Sequence, residues 1–140
     1  MEEVCLYNSS YSVDWILDSG ASHHVTPNKD HFTVYNHGNH GRVHLGDNHY
    51  CNIVGVGDVQ IKTKDGQNIL LRQVRHVPEM RMCLISMGRL DDEGYSTSFG
   101  KSGWKISKGA LLMVRGSKTG TLYTLNAIAE KSDVVAATTK

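Results

Sequence analysis

Apolar and polar positions alternate in short runs along most of this chain, and glycine closes many of the runs. DVQIKTKDG is the clearest case, with Val59, Ile61 and Thr63 on one side and Gln60, Lys62 and Lys64 on the other. Period two predicts a half-buried strand, closed here by an Asp65-Gly66 turn. NILLRQVRHVP predicts the return strand and ends at Pro78, because proline cannot donate to a ladder. YSTSF, WKIS, ALLMVRG and TLYTLN are strand-like runs separated by Gly100 to Gly103, Lys108-Gly109 and Lys118 to Gly120. Helical spacing occurs only in LISMGRLDDEG, where Leu84, Met87 and Leu90 lead into an acidic stretch and Gly94. One or two turns are expected there, weakened by Gly88. Many short strands with glycine turns predict an all-β barrel or sandwich with one short helix.

The two ends depart from this rhythm. Residues 1–12 carry no period and read as a flank or linker; residues 128–140 lose the pattern and read as a flexible tail. A chain of 140 residues suits one domain with a real core, here residues 13–127. Its formal charge of +1 is close to balance. No apolar run approaches bilayer thickness, so no membrane partner is expected. The acidic start, Met1-Glu-Glu-Val-Cys, resembles neither a secretory signal nor a transit peptide. Cys5, Cys51 and Cys83 lack metal-ligand spacing and suit thiols in a reducing compartment, so a cytoplasmic location is expected.

Candidate chemistry concentrates in WILDSGASHHVTP. Asp18 follows the strand-like Trp15-Ile16-Leu17, and a carboxylate at a strand end is costly to bury without hydrogen bonds. Ser19 supplies a hydroxyl beside it, Gly20 admits another backbone or a ligand, and Ala21 and Ser22 keep the turn uncrowded. A fixed acid, a nearby donor and room for substrate are what carboxylate catalysis requires. The same residues also suit a plain turn in which Asp and Ser bond local backbone. A three-residue match does not separate the two readings.

Context adds weight to the catalytic reading. WILDSGASHHVTP, VHLGDN, IVGVGDVQIKTKDG, VRHVPEMRMCLISMGRLDDEGY and KGALLMVRGSKTGTLYTLN follow one another in this chain. Together they resemble the retropepsin-like aspartic protease domain of LTR retrotransposon Gag-Pol polyproteins, of the copia type found in plants. The resemblance runs from Val13 to Ala127. It implies a small closed β-barrel whose Asp-Ser-Gly loop supplies a catalytic aspartate, Asp18. By the family pattern Ser19 would hold the loop through a hydroxyl bond across a dimer, and Gly20 and Ala21 would let substrate backbone approach. Val54, Gly55, Val56 and Gly57 would correspond to a flap hairpin, although G-x-G in a strand equally marks a bulge or close packing. Leu84, Ile85 and Ser86 would form the second supporting loop. Ser86 stands where retroviral relatives place glycine, as it often does in copia-type sequences.

Aspartic peptidases use two carboxylates sharing a proton around a water. This chain holds one Asp-Ser/Thr-Gly, so the resemblance implies a homodimer with Asp18 from each subunit, acting on polyprotein peptide without a cofactor. No zinc knuckle, integrase or reverse transcriptase accompanies the domain, and the tail leads toward a pre-integrase region that is absent. The chain therefore reads as a polyprotein piece or a truncated relic, housed in a virus-like particle in the parent element. The alternative function is a catalytically silent β-barrel kept for dimerisation or nucleic-acid binding.

Two further features carry weaker signals. Eight histidines are many for this length, and His37, His40, His44 and His49 with Cys51 match no zinc spacing; their glycine and asparagine neighbours suggest a solvated loop, and no metal site is expected. His23 and His24 adjoin the aspartate loop and, charged below about pH 6.5, would lower a nearby carboxylate's pKa; solvent exposure is the commoner outcome. Lys101, Lys105, Lys108, Arg115 and Lys118, with Trp104 and Tyr123, form a stretch free of acidic residues. That composition would suit single-stranded nucleic acid, but the solvated side of a β-meander with its aromatics turned inward is favoured.

Overall fold

The computed structural model describes residues 10–45, 48–130, 135 and 136. In chain order its strands begin with β1 (Ser10–Asp18), β2 (Val25–Thr26), β3 (Phe32–His37), β4 (Arg42–Leu45), β5 (His49–Asn52) and β6 (Gly55–Lys62). They continue with β7 (Asn68–His76), β8 (Cys83–Ser86), β9 (Ser96–Gly100), β10 (Gly103–Lys108), β11 (Leu111–Thr119), β12 (Leu122–Glu130) and β13 (Val135–Ala136). An α-helix, α1 (Met87–Asp92), follows β8, and a 3-10 turn spans Lys29–His31.

The neighbours β6-β7-β2-β8-β1-β12 run in sequence, and the Ile128↔Lys62 pairing returns β12 to β6. This closes a six-stranded barrel, so the all-β expectation of a small closed barrel with one short helix holds. β3 and β13 extend it on one side, and the meander β11-β10-β9 on the other. β4 and β5 pair only with each other and form a separate ribbon.

The alternation seen in the sequence becomes burial. Trp15 and Leu17 of β1, Val59 and Ile61 of β6, Ile69 and Leu71 of β7, and Ile85 of β8 all face the core, joined by Leu90 of α1. Each such side chain contributes on the order of 1.5–3 kcal/mol when fully removed from water. Ser86 caps α1, its side-chain oxygen accepting from the Arg89 amide, and Gly94 at φ 90° ends the helix in the left-handed conformation.

One irregularity in β7 was not legible in advance. Gln73 takes φ 58°, and β7 places two residues between Leu71 and Val74 where β6 places one between Val59 and Gly57. The extra residue is a β-bulge. It moves the inward positions of β7 from odd to even, so Val74 and His76 are buried after Ile69 and Leu71.

The expected ends are also corrected. Ser10 to Ser12 pair with Ile128 to Glu130, so the strand at each end runs past the expected limits of 13 and 127. Val135 and Ala136 pair in parallel with Val34 and Tyr35 rather than trailing free. The rest of the expected flank and tail lies outside the described residues.

Candidate active site

β1 runs parallel to β8 in the barrel wall, with Asp18 opposite Ser86 in the register. This places the end of one strand and the start of α1 side by side. The chain leaving Asp18 turns at once: the Gly20 amide donates to Asp18 Oδ1 at 2.7 Å. Ser86 then ties the turn down from below. Its hydroxyl donates to the Ala21 carbonyl at 2.7 Å, and its amide donates to His24 Nδ1 at 2.9 Å. The His24 carbonyl in turn accepts from the Arg75 amide of β7 at 2.8 Å. The loop after the aspartate is thus sewn to two barrel strands, while Ser19, Gly20 and Ser22 stay exposed and Asp18 is half-buried.

Serine at position 86 is a gain here. A glycine could offer the amide to His24, but neither the bond to Ala21 nor the helix cap.

His24 overturns the expectation of a solvent-facing side chain: it is fully buried beneath the loop. Burial first, then the charges of Arg89, His23 and Arg75, lower its pKa from 6.5 to about 4. His24 is therefore a neutral acceptor near neutral pH and supplies no positive charge to Asp18 there. His23 is half-buried, and its pKa also falls, through burial and then the charges of Arg75 and Arg89. The sequence marked both histidines as neighbours of the aspartate loop but not the burial of His24, because a pair inside a polar run reads as solvent-facing loop.

A cleft of about 370 Å³ opens against this loop. Gly20, Ala21, Ser22 and His23 line one side, and Arg42, Val43 and His44 of β4 line the other. A small second core of Val25, Cys51, Ile53 and Val77, with Val43, Met80 and Leu84 packed on it, seats the β4–β5 ribbon beside the loop. Another cavity, about 200 Å³, lies where β1, β6 and β12 meet and is lined by no carboxylate.

The expected flap residues sit elsewhere. Val54 precedes β6, and Gly55, Val56 and Gly57 lie within it, paired with β3 on one side and β7 on the other. A Cβ at Gly55 would overlap the Tyr35 ring, and one at Gly57 the Val34 carbonyl. These glycines serve close packing beside a bulge and are not at a hairpin tip, which corrects the flap placement. Leu84 and Ile85, expected in a second supporting loop, lie in strand β8, Leu84 at the cleft and Ile85 in the core.

Among the described residues, no group of three histidine, cysteine or acidic side chains is placed to hold a metal ion. No described helix is long and apolar enough to cross a membrane. Lys101, Lys105, Lys108, Arg115 and Lys118 are exposed, but Trp104 is buried and donates its indole N–H to the Thr124 carbonyl at 3.1 Å. That ring is not available to stack on a base.

A family model described as the Pol polyprotein, beta-barrel domain matches residues 15–95, more than half of the chain. The chain is 44% identical over 126 residues to the retrovirus-related Pol polyprotein from transposon TNT 1-94 of Nicotiana tabacum. That alignment covers 90% of this chain and 10% of the relative, so the chain spans about a tenth of the relative's length. No solved structure matches it.

Proposed function

We propose, from the premise that this chain belongs to the Pol polyprotein β-barrel domain family, that it is the aspartic endopeptidase domain of a copia-type retrotransposon polyprotein. Asp18 supplies one carboxylate of a dyad that a second copy completes. The observation carrying this reading is the fixed loop: Asp18 holds the Gly20 amide while Ser86 anchors Ala21, beside a cleft of about 370 Å³.

In the dimer the two Asp18 side chains share one proton, because like charges a few ångströms apart do not both ionise. The ionised carboxylate takes a proton from water as the water attacks the scissile carbonyl. The protonated one donates to the carbonyl oxygen as it becomes tetrahedral. Ser19 and Gly20 hold the two loops against each other. The part of a flap falls to the β4–β5 ribbon, whose residues face the loop across the cleft.

The test is mass spectrometry of a complex peptide mixture incubated with the chain at mildly acidic and neutral pH, beside Asp18→Asn. Cleavage that rises more steeply than linearly with protein concentration and vanishes in Asp18→Asn is the expected result. A folded chain, shown by circular dichroism, that cuts nothing at any concentration would sink the proposal and leave a silent barrel.

A further inference from the structure

Four of the buried side-chain nitrogens that lack a hydrogen-bond partner belong to His23, His24, Arg75 and Arg89, residues gathered behind and beside the Asp18 loop. All four can carry positive charge. Their mutual influence is repulsive: Arg89 and Arg75 both push the histidines toward neutrality, and burial followed by Arg89 lowers the pKa of Arg75 itself. Among the described residues, no carboxylate pairs with Arg75 or Arg42.

Two of the four, His23 and Arg75, line the cleft beside the loop, and His40, Arg42 and His44 complete its basic wall. Among the described residues no aspartate or glutamate lines it, and Asp18 itself engages the Gly20 amide. Arg75 is aimed by its own strand: one terminal nitrogen donates to the Gln73 carbonyl at 2.8 Å, which the bulged, left-handed Gln73 presents. Its Nε is left over, buried and without a partner. Arg42 is held over the Tyr50 ring at 4.7 Å. Two oriented guanidiniums facing a cleft with no carboxylate among its described lining residues form a receptor for a carboxylate, since arginine's fork matches carboxylate geometry.

We propose that this cleft selects peptide with an acidic side chain, glutamate or aspartate, next to the bond presented to Asp18, and that Arg75 is the specificity-determining residue. The proposal rests on the endopeptidase reading for the words "next to the bond", and on the cleft alone for the acidic ligand. A peptide carboxylate fits better than a nucleic-acid phosphate because the cleft floor is apolar, with Val25, Ile53, Met80 and Leu84 suited to neighbouring apolar side chains.

The experiment walks a single glutamate, one position at a time, along an otherwise neutral apolar peptide. Binding to the Asp18→Asn chain is followed by fluorescence anisotropy near neutral pH, and each peptide has a glutamine twin of equal shape. In one register the glutamate peptide is expected to bind about tenfold more tightly than its twin, as for a desolvated charge-assisted pair. Arg75→Met should bring the two to parity, and Arg42→Met, at a surface position of the ribbon, should narrow the gap without touching the barrel. Equal affinity of the twins in every register, or no binding of either, would overturn the proposal. So would a single-stranded oligonucleotide that binds more tightly than any peptide and is released by Arg75→Met. Cleavage by the unmodified chain separates the two readings. Cutting without glutamate preference removes this inference alone, whereas glutamate-selective binding without cutting removes the endopeptidase alone.

Discussion

His24 receives the Ser86 amide on Nδ1 at 2.9 Å, a bond between residues sixty-two positions apart that joins the aspartate loop to the start of α1. The acceptor role requires a neutral ring with its proton on Nε2. A protonated imidazole would present a donor to a donor. The folded pKa is about 4 against 6.5 for the free side chain. Between those values the unfolded chain binds a proton that the folded chain refuses. Stability is therefore full above about pH 6.5 and falls as pH drops toward 4, by about 3 kcal/mol at most from this residue. His23, His31 and His76 are shifted in the same direction, each by burial first. The thermal midpoint should fall steadily from pH 7 to pH 4.5. His24→Asn, which keeps an acceptor near Nδ1 but does not titrate, should flatten that slope while lowering stability at neutral pH. An unchanged slope in His24→Asn would show that the acid sensitivity lies elsewhere.

Ser86 is the second half of the same joint. Its hydroxyl donates to the Ala21 carbonyl and accepts from the Arg89 amide at 3.1 Å, so one oxygen serves loop and helix together. Ser86→Ala should cost about 1–2 kcal/mol in urea unfolding, the usual range for a lost helix cap. Amide exchange should quicken at residues 21–23 as well as at Arg89. Exchange that quickens only in the helix would reduce Ser86 to a cap with no hold on the loop.

Gly57 and Gly100 make a matched pair for the packing argument. A Cβ at Gly57 would run into the Val34 carbonyl, which the β3–β6 pairing holds in place, whereas nothing lies within 4 Å of one at Gly100. Gly57→Ala should lose at least about 3 kcal/mol, beyond the usual range for overpacking because backbone must move. Gly100→Ala should stay within about 0.5 kcal/mol of the parent. A mild Gly57→Ala, measured by chemical denaturation, would mean that β6 slides freely against β3, and would revive a mobile role for this segment.

What the sequence disclosed follows from which forces are local. The alternation in DVQIKTKDG predicted the burial of Val59, Ile61 and Thr63, because a strand's two faces are set by neighbours two apart. The helix after Ser86 was visible for the same reason, except that Leu84 belongs to β8. The Asp18 loop was legible because small residues crowd around one acid. Non-local features were not. β2 is two residues long and carries no period, and the ends of β1 and β12 look unpatterned until each is set against the other. The bulge at Gln73 carries no glycine or asparagine to announce it. His24 reads as loop because its burial depends on Ser86 and Arg75, far along the chain. The flap was misplaced by trusting a G-x-G whose glycines answer to Tyr35 and Val34 across the sheet.

The β4–β5 ribbon offers a last prediction. Its strands bond only to each other, and His44, His49 and Tyr50 are exposed, with the His44 and Tyr50 rings tilted against each other at 4.7 Å. Among the described side chains of the ribbon, Val43 and Cys51 join it to the small core beneath the loop. A two-stranded ribbon is marginal alone, so its amides should open at far lower free energy than those of β6 and β7, which are paired on both edges or lie inside the barrel. Native-state hydrogen exchange should show residues 42–45 and 49–52 exchanging at least about a hundredfold faster than residues 59–61 and 69–71. A peptide seated in the cleft would touch Arg42, Val43 and His44 and should slow the ribbon selectively, leaving the barrel amides as they were. Barrel-like protection in the free chain would mean that the ribbon is a fixed wall, and peptide would then have to enter from the ends of the cleft.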